Sequence, residues 1–401
     1  MKTTPAAPAR RITWLAYTAV FLSGLNGGWL GPLLPAIGRA QGIPLDRLGL
    51  LASISFVGYM LTVTVAGALV ERWGGRVALT LSTGLLAAGL VGLAVLPGLP
   101  GLLAGALVAG LGTGINDVAS HVVIVALNDE ERVTAELNYL NVAFGVGALL
   151  GPLVVGVALR FDVAYGAVFG GGAALAATTA LLVATTRLVH DRPAHAASVP
   201  ARAFLKQPAL WVLGGALALY VGAEVALGTW IPTYLHRVDG VSESLAAWGV
   251  SLFWIGLVTG RLASGRLAAR VATRPLTLGA MALSLVALVA LTPAPAGAAL
   301  HAALVLVIGL GFGPIFPNAI ATGAALFPRH VSAMTSHVIA LSSLGGIVLP
   351  WLMGRLLVRA GPQPAMLLVC AAAGLMLLLF WALRATSDER RATNGVRGTG
   401  G

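Results

Sequence analysis

The sequence is poor in charged residues. Asp, Glu, Lys and Arg make up 10% of its 401 residues, whereas a typical soluble domain carries about 25%. Hydrophobic residues account for 58% of the chain, and the mean hydropathy is +0.90. So few charges cannot cover a water-facing surface. The composition therefore excludes an ordinary soluble globular protein and indicates a protein that is surrounded by lipid.

Features of soluble enzymes and of nucleotide-driven pumps are also missing. The single cysteine, Cys370, cannot form an intramolecular disulfide or a cysteine metal cluster. The stretch GLGTG (110–114) imitates a phosphate-binding loop, but no strand is predicted before it and no Walker lysine follows it. Ser120 and His121 point to different faces of a helix, so they do not form a nucleophile and its base. We therefore expect no metal, no cofactor and no enzymatic activity.

Long apolar runs are abundant. A helix that spans a bilayer needs about 20 apolar residues. Runs of this kind, separated by charges or by Pro and Gly, predict twelve spans. Their approximate ranges are 12–37, 48–70, 77–96, 99–127, 134–158, 165–187, 209–235, 246–270, 275–294, 297–327, 331–357 and 364–384. The first run is too long for a signal peptide, so we interpret it as an uncleaved helix.

The net charge of +11 has an explanation in the predicted topology. If the N-terminus is cytoplasmic, 18 Lys and Arg residues lie in cytoplasmic segments and six lie on the opposite side. Cytoplasmic loops of membrane proteins are enriched in positive charge. The distribution predicts a multi-pass protein of the bacterial cytoplasmic (inner) membrane with both termini inside. It also explains the charge without a nucleic-acid partner.

The chain repeats itself at about half its length. With a shift of 198 residues, Gly58, Gly67 and Arg72 fall on Gly256, Gly265 and Arg270, and Gly147 and Pro152 fall on Gly345 and Pro350. With a shift of 199, GLGTGI (110–115) falls on GLGFGP (309–314). Ordered matches at separate places indicate a duplication. We predict a six-helix N-terminal half at 1–189, a polar cytoplasmic linker at 190–208 and a six-helix C-terminal half at 209–401.

The loop after the second span carries a recognisable signature. GALVERWGGRVAL (67–79) resembles the signature G-x-L-x-D-R-x-G-R-[RK]-x-x-L of the major facilitator superfamily. Glu71 replaces the usual Asp, and Gly75 replaces the first basic residue. The resemblance implies an all-α integral membrane protein with twelve transmembrane helices in two pseudo-symmetric halves. It also implies a gating role for Glu71, Arg72 and Arg76.

A narrower resemblance concerns three spans. Three stretches are similar to helices 4, 5 and 7 of fucose-permease-like sugar symporters. They are GINDVASHVV (114–123), ELNYLNVAFGVGALLGPL (136–153) and YVGAEVALGTWIPTYL (220–235). The resemblance implies that Asp117 and Glu224 are functional acids and that Asn138 and Asn141 are polar positions of helix 5. These symporters carry an acid where this sequence has Gly31, so a proton mechanism that depends on that acid is not implied.

A few ionisable residues lie well inside the predicted spans. They are Asp117, His121, Glu136, Glu224, Arg261 and His337. A charge at the bilayer centre costs about 2.5–3.5 kcal/mol on insertion scales, so such residues usually face a cavity or a partner. Asp117 and His121 are four residues apart and share a helix face. We predict that Asp117, His121, Glu224 and His337 bind substrate and that Asp117 and Glu224 hold the coupling ion; the alternative is that they only join helices.

Uncharged residues complete the predicted site. Asn26, Asn141 and Asn318 would contact substrate through hydrogen bonds, although interhelical hydrogen bonds would explain them equally well. Trp29 and Trp230 could stack on a sugar ring, or they could belong to an interfacial belt. Arg261, near the cytoplasmic end of its helix, is predicted to be a gating residue.

These features predict a monomeric secondary transporter that moves a small polar solute, a sugar, with coupling to H⁺ or Na⁺. Its cavity would alternate between the two sides of the membrane around a midplane site. The alternative is a proton-coupled exporter of amphipathic compounds or drugs, because Val, Ala and Leu dominate around the polar positions. A membrane receptor would need a sizeable soluble domain, and the segments outside the first and last spans have only about 11 and 17 residues.

Overall fold

The computed structural model describes residues 7–128, 130–186, 207–268, 270–292, 297–328 and 330–397. In these ranges the chain is helical and contains no strand. The N half comprises α1 (Ala7–Gln41), α2 (Leu45–Leu48), α3 (Leu50–Val63), α4 (Ala66–Trp73), α5 (Gly75–Val95), α6 (Gly98–Leu127), α7 (Glu130–Arg160) and α8 (Tyr165–Thr185). The C half comprises α9 (Pro208–Asp239), α10 (Glu243–Leu267), α11 (Thr273–Leu291), α12 (Ala298–Phe312), α13 (Ile315–Leu326), α14 (Val331–Arg359) and α15 (Pro362–Arg397).

The predicted twelve spans are confirmed. Among the described residues, twelve helical segments are long and apolar enough to cross a membrane. The predicted linker lies outside the described residues, except for 207 and 208. Its boundaries therefore stay a prediction.

Two spans that we predicted as continuous helices are interrupted. The tenth span breaks between α12 and α13 at Gly313 and Pro314, because proline lacks an N–H group and its ring clashes with the preceding turn. The second span breaks between α3 and α4 at Thr64 and Val65. Thr64 Oγ1 donates there to the carbonyl of Leu61 at 3.1 Å, a bond that competes with the regular helix.

The predicted duplication is visible in how the helices pack. Gly58 of α3 lies against the backbone of α6, and Gly256 of α10 lies in the same way against α12. Likewise Gly147 of α7 lies against α1, and Gly345 of α14 lies against α9. At each position an added Cβ would collide with the neighbouring backbone. Small residues let membrane helices approach this closely, so corresponding glycines hold corresponding helix pairs in the two halves.

The two halves meet at one side of the bundle. We name the side where α1 begins and α15 ends the termini side, and the opposite side the far side. On the far side Gly31 of α1 packs against the backbone of Thr229 in α9. The Ser244 hydroxyl of α10 donates to the carbonyl of Gly156 in α7 at 2.6 Å. These contacts close the far side.

The same seam is open on the termini side. Towards the middle of the bundle, Gly145 of α7 still packs against Val258 of α10. Asn138, two turns earlier on the same face of α7, is exposed. Leu262, one turn beyond Val258, is 58% exposed. The halves therefore part towards the termini side, and we call the space between them there the cavity.

The apolar core follows this asymmetry. One cluster of buried residues runs through both halves and includes Trp29 of α1 and Trp230 of α9. A second cluster, with Ile12, Val123 and Val183 among its members, is formed by the N half alone. The first cluster thus joins the two halves where they touch, whereas the second cluster belongs to the N half where the halves part.

Candidate functional site

Asp117 and His121 lie on the wall of the cavity. Their helix, α6, packs against α5 through Gly112 and against α3 through Gly110. It contacts α1 through Asn116, whose Nδ2 donates to a serine hydroxyl at 2.9 Å. Asp117 and His121 lie on the face of α6 that carries Gly110, beside α3 and about two to three turns nearer the termini side. Their side chains are 47% and 41% exposed, so the pair is accessible on the side where the halves part.

The described neighbours of the Asp117 carboxylate are a tyrosine and a histidine. The Tyr59 hydroxyl of α3 donates to Oδ2 at 2.6 Å. His121 Nδ1 lies 2.6 Å from the backbone oxygen of Asp117 and 3.9 Å from its Oδ1. Because a carbonyl oxygen only accepts hydrogen bonds, we assign the proton of a neutral His121 to Nδ1. The other ring nitrogen, Nε2, is then an acceptor for a bound molecule.

Glu224 belongs to a different kind of cluster. It lies half-buried on α9 and interacts electrostatically with Arg261 of α10. The Tyr220 hydroxyl, one turn away on α9, lies beside both charged groups, although neither contact has the geometry of a full hydrogen bond. Arg261 Nε also donates to the carbonyl of Gly313 at 3.3 Å. The C half therefore contains an acid with its countercharge at the break between α12 and α13.

The predicted polar residues are distributed over four helices. Asn141 of α7 is exposed, and its Nδ2 donates to a backbone oxygen of its own helix at 2.9 Å. Asn318 of α13 is half-buried and donates to the Ser264 hydroxyl of α10 at 3.3 Å, which fits the interhelical alternative. Asn26 is half-buried on α1, and His337 is half-buried on α14. Their contacts with substrate stay predictions.

The two predicted tryptophans lie away from the cavity. The Trp29 ring packs between α1 and α8, against Gly172 and at 6.5 Å from the ring of Phe169. Trp230 is fully buried, and its Nε1 donates to the carbonyl of Pro350 at 2.7 Å. In this conformation neither ring offers a face to a solute.

The predicted gating loop lies on the termini side. Glu71 and Arg72 are exposed at the end of α4, and Arg76 is half-buried in the first turn of α5. Gly74 joins the two helices with a φ of 82°, a conformation that favours glycine. Their role as a latch stays a prediction. Arg261, the fourth predicted gating residue, lies on α10 and interacts with Glu224; its gating role also stays a prediction.

Sequence reasoning missed the tyrosines. Besides Tyr59, Tyr17 of α1 donates a hydrogen bond to the Glu136 carboxylate of α7. The spacing of Tyr220 and Glu224, four residues, was a readable signal of contact. No such signal links Tyr59 to Asp117, since they lie on different helices.

Comparisons with known proteins agree with this architecture. The profile of the family described as Major Facilitator Superfamily matches residues 16–336 and 240–399. An uncharacterized MFS-type transporter of Bacillus subtilis, YfkL, is 28% identical over 78% of this chain and 79% of its own. The glucose/mannose transporter GlcP of the same organism is 22% identical over 84% and 86%. A probable nitrate/nitrite transporter of Mycobacterium tuberculosis, NarK2, is 27% identical over 85% and 87%.

Solved structures share the fold. The nucleoside transporter NupG superimposes with a TM-score of 0.79 at 14% identity, over 93% of this chain and 99% of its own. A D-xylose-proton symporter superimposes with a TM-score of 0.76 at 16% identity, over 93% and 97%.

Proposed function

Since the chain belongs to the major facilitator superfamily and is a multi-pass secondary transporter, we propose that it carries a small polar solute, a sugar, together with a proton or another cation. The observation that carries this proposal is the half-exposed Asp117 carboxylate, bound to Tyr59 and placed beside His121 on the cavity wall. Carboxylate and imidazole groups at one depth can receive and orient the hydroxyl groups of a sugar.

The contrast between the two acids supports a division of roles. Glu224 has a cationic neighbour, Arg261, whereas the neighbours described for Asp117 are a tyrosine and a histidine. An uncompensated carboxylate is costly to move through the low-dielectric middle of a membrane. A proton or cation bound to Asp117 would remove that cost before the halves rearrange. We therefore assign the coupling ion to Asp117 and a structural role to Glu224.

The relatives support a polar solute as the substrate and suggest which two substrate classes to compare. GlcP is a glucose/mannose transporter, and one structural neighbour is a D-xylose-proton symporter. NarK2, by its description a probable nitrate/nitrite transporter, raises an anion as a second substrate class. Asp117 argues against an anion, because a carboxylate on the cavity wall repels negative charge.

The charge distribution supports an orientation of the protein in the membrane. With 18 Lys and Arg residues predicted on the termini side and six on the far side, the termini side would face the cytoplasm. The cavity would then be open to the cytoplasm of a bacterial cell, with the far side closed. We propose that the protein functions as a monomer in the inner membrane.

Ligand-dependent thermal stability tests the substrate class. A ligand that binds the folded protein raises its melting temperature. The purified protein would be screened against monosaccharides, nitrate and lipophilic cations. Each hit would be repeated with Asp117→Asn and with Asp162→Asn, a matched control on an exposed loop of the far side.

We expect a sugar to raise the melting temperature of the wild type and the control at the same concentrations, and that of Asp117→Asn only at concentrations about tenfold higher, because the variant keeps the other polar groups of the site. A response to nitrate alone would replace the sugar with an anion. A response to lipophilic cations alone would favour the exporter. A sugar response with the same concentration dependence in Asp117→Asn as in the wild type would mean that the site lies elsewhere.

A further inference from the structure

Two ion pairs join the halves at the far side. Arg39, at the end of α1, donates through both terminal nitrogens to the two carboxylate oxygens of Glu243, at the start of α10, at 2.5 and 2.7 Å. Arg359, at the end of α14, contacts the carboxylate of Asp46 in α2 at 3.4 Å. Each pair takes one residue from the N half and one from the C half. Neither pair contains a residue of the loop resembling the family signature.

The two pairs occupy corresponding corners of the duplicated fold. The repeat shift of 198 places Arg39 on Arg237, and the acids Asp46 and Glu243 both lie where the helix after the first span of each half begins. Arg237 donates to the carbonyl of Leu357 at 2.7 Å, which places it beside the end of α14. We call the surroundings of Arg39–Glu243 the first corner and those of Arg359–Asp46 the second corner. In each corner the acid belongs to one half, and the helix end that carries the arginine belongs to the other half.

The acids are more buried than the arginines. The Glu243 and Asp46 side chains are 21% and 15% exposed, whereas those of Arg39 and Arg359 are 63% and 62% exposed. Burial makes an unpaired carboxylate unfavourable, while a solvated guanidinium loses little when its partner is removed. The closed far side therefore depends on the arginines more than on the acids.

Solvent reaches the first corner. A cleft of about 950 Å³ between the halves is lined by Arg39 and Glu243, together with Arg160, His236 and Trp248. Separating the pair into this cleft would expose both charges to water. The pair can thus break without leaving a charge in an apolar environment, as a reversible contact requires.

We propose that Arg39–Glu243 and Arg359–Asp46 form the far-side gate, which holds the halves together in the structure described and breaks when the cavity opens to the far side. The proposal concerns the change of access and holds whichever solute or ion is carried. Exposed ion pairs shift an equilibrium by about twofold to fivefold each, so the gate biases the two states without trapping the transporter in one.

Distance measurements between the halves test the gate. The full-length protein, with its only cysteine removed by Cys370→Ala, would carry spin labels at Phe161→Cys in the N half and Leu300→Cys in the C half. These far-side positions are 72% and 50% exposed. Distance distributions would be recorded by pulsed electron paramagnetic resonance in lipid nanodiscs without solute, so that the result does not depend on the proposed substrate.

We expect Arg39→Gln to raise the ratio of open to closed far-side populations by about fivefold, and Glu243→Gln by about twofold, because the arginine stays solvated. Exchanging the charges in Arg39→Glu with Glu243→Arg should return the distribution towards that of the wild type.

The second corner has a matched control. Arg359→Gln should also favour the open far side, whereas Arg355→Gln, one turn away on α14, should not. Arg355 lies 5.2 Å from the centre of the Trp351 ring in its own half. The gate is refuted if Arg39→Gln and Arg359→Gln give the same distribution as Arg355→Gln, or if the exchanged pair is as open as Arg39→Gln alone.

Discussion

The two acid clusters inside the bundle differ in how their charge is balanced. In the N half, Asp117 is 47% exposed on its side chain and receives a hydrogen bond from Tyr59. In the C half, Glu224 is half-buried and interacts with Arg261. One carboxylate is half-exposed beside a tyrosine and a histidine, while the other has a cation within its own half.

The two clusters differ in what remains once their carboxylate is neutralised. Neutralising Glu224 would leave the Arg261 cation unbalanced within its own half, whereas neutralising Asp117 would leave no such cation beside it. A carboxylate held by hydroxyl and imidazole groups can bind and release a proton or a cation. The comparison thus predicts that substitutions in the two clusters fail in different ways.

The largest expected effect comes from Asp117→Asn. If Asp117 binds the coupling ion, the variant loses solute accumulation driven by an ion gradient, so that the inside and outside solute concentrations become equal. It should still exchange labelled for unlabelled solute across the membrane, because exchange does not require release of the ion. Uptake and exchange in proteoliposomes would be compared under imposed H⁺ and Na⁺ gradients. If accumulation and exchange fall equally, Asp117 contributes to solute binding without coupling.

Arg261→Gln should affect stability more than coupling. Glu224 and Arg261 interact at longer range than a direct ion pair, so the loss should be smaller than the cost of about 3–5 kcal/mol for removing one partner of a buried ion pair. The melting temperature of the detergent-purified protein would fall. The double variant Arg261→Gln with Glu224→Gln should recover most of the loss, because no unpaired charge remains. If the double variant is no more stable than the single one, the two residues do not form a compensating pair.

Tyr59→Phe should have a moderate effect on transport. It removes a hydrogen bond to a charged oxygen, and such bonds contribute about 1.5–3 kcal/mol. Its loss should therefore slow uptake by about tenfold or more under a fixed ion gradient. Uptake rates of the variant and the wild type would be compared in proteoliposomes. An unchanged rate would give Tyr59 a packing role only.

Much of the fold could be predicted from the sequence, and the site only in part. Apolar runs predict the spans because bilayer thickness fixes their length. The repeated glycines, such as Gly58 and Gly256, predict the duplicated packing. The pairing of Tyr59 with Asp117 could not be predicted, since it depends on how α3 and α6 approach. The burial of Trp29 could not be predicted either, because an aromatic residue in an apolar run is compatible with both a buried core position and a cavity wall.

Tyr220→Phe is expected to have the smallest effect. The hydroxyl lies beside Glu224 and Arg261 without the geometry of a full hydrogen bond, while the ring packs at 5.4 Å from that of Phe312. Phenylalanine keeps the ring and removes a buried oxygen that has no well-formed bond, so the change should be within about 1 kcal/mol of neutral. Thermal stability and uptake would be measured beside those of Tyr59→Phe. A loss of uptake as large as in Tyr59→Phe would show that the Tyr220 hydroxyl also binds its acid, Glu224. The two clusters would then differ only in the presence of Arg261.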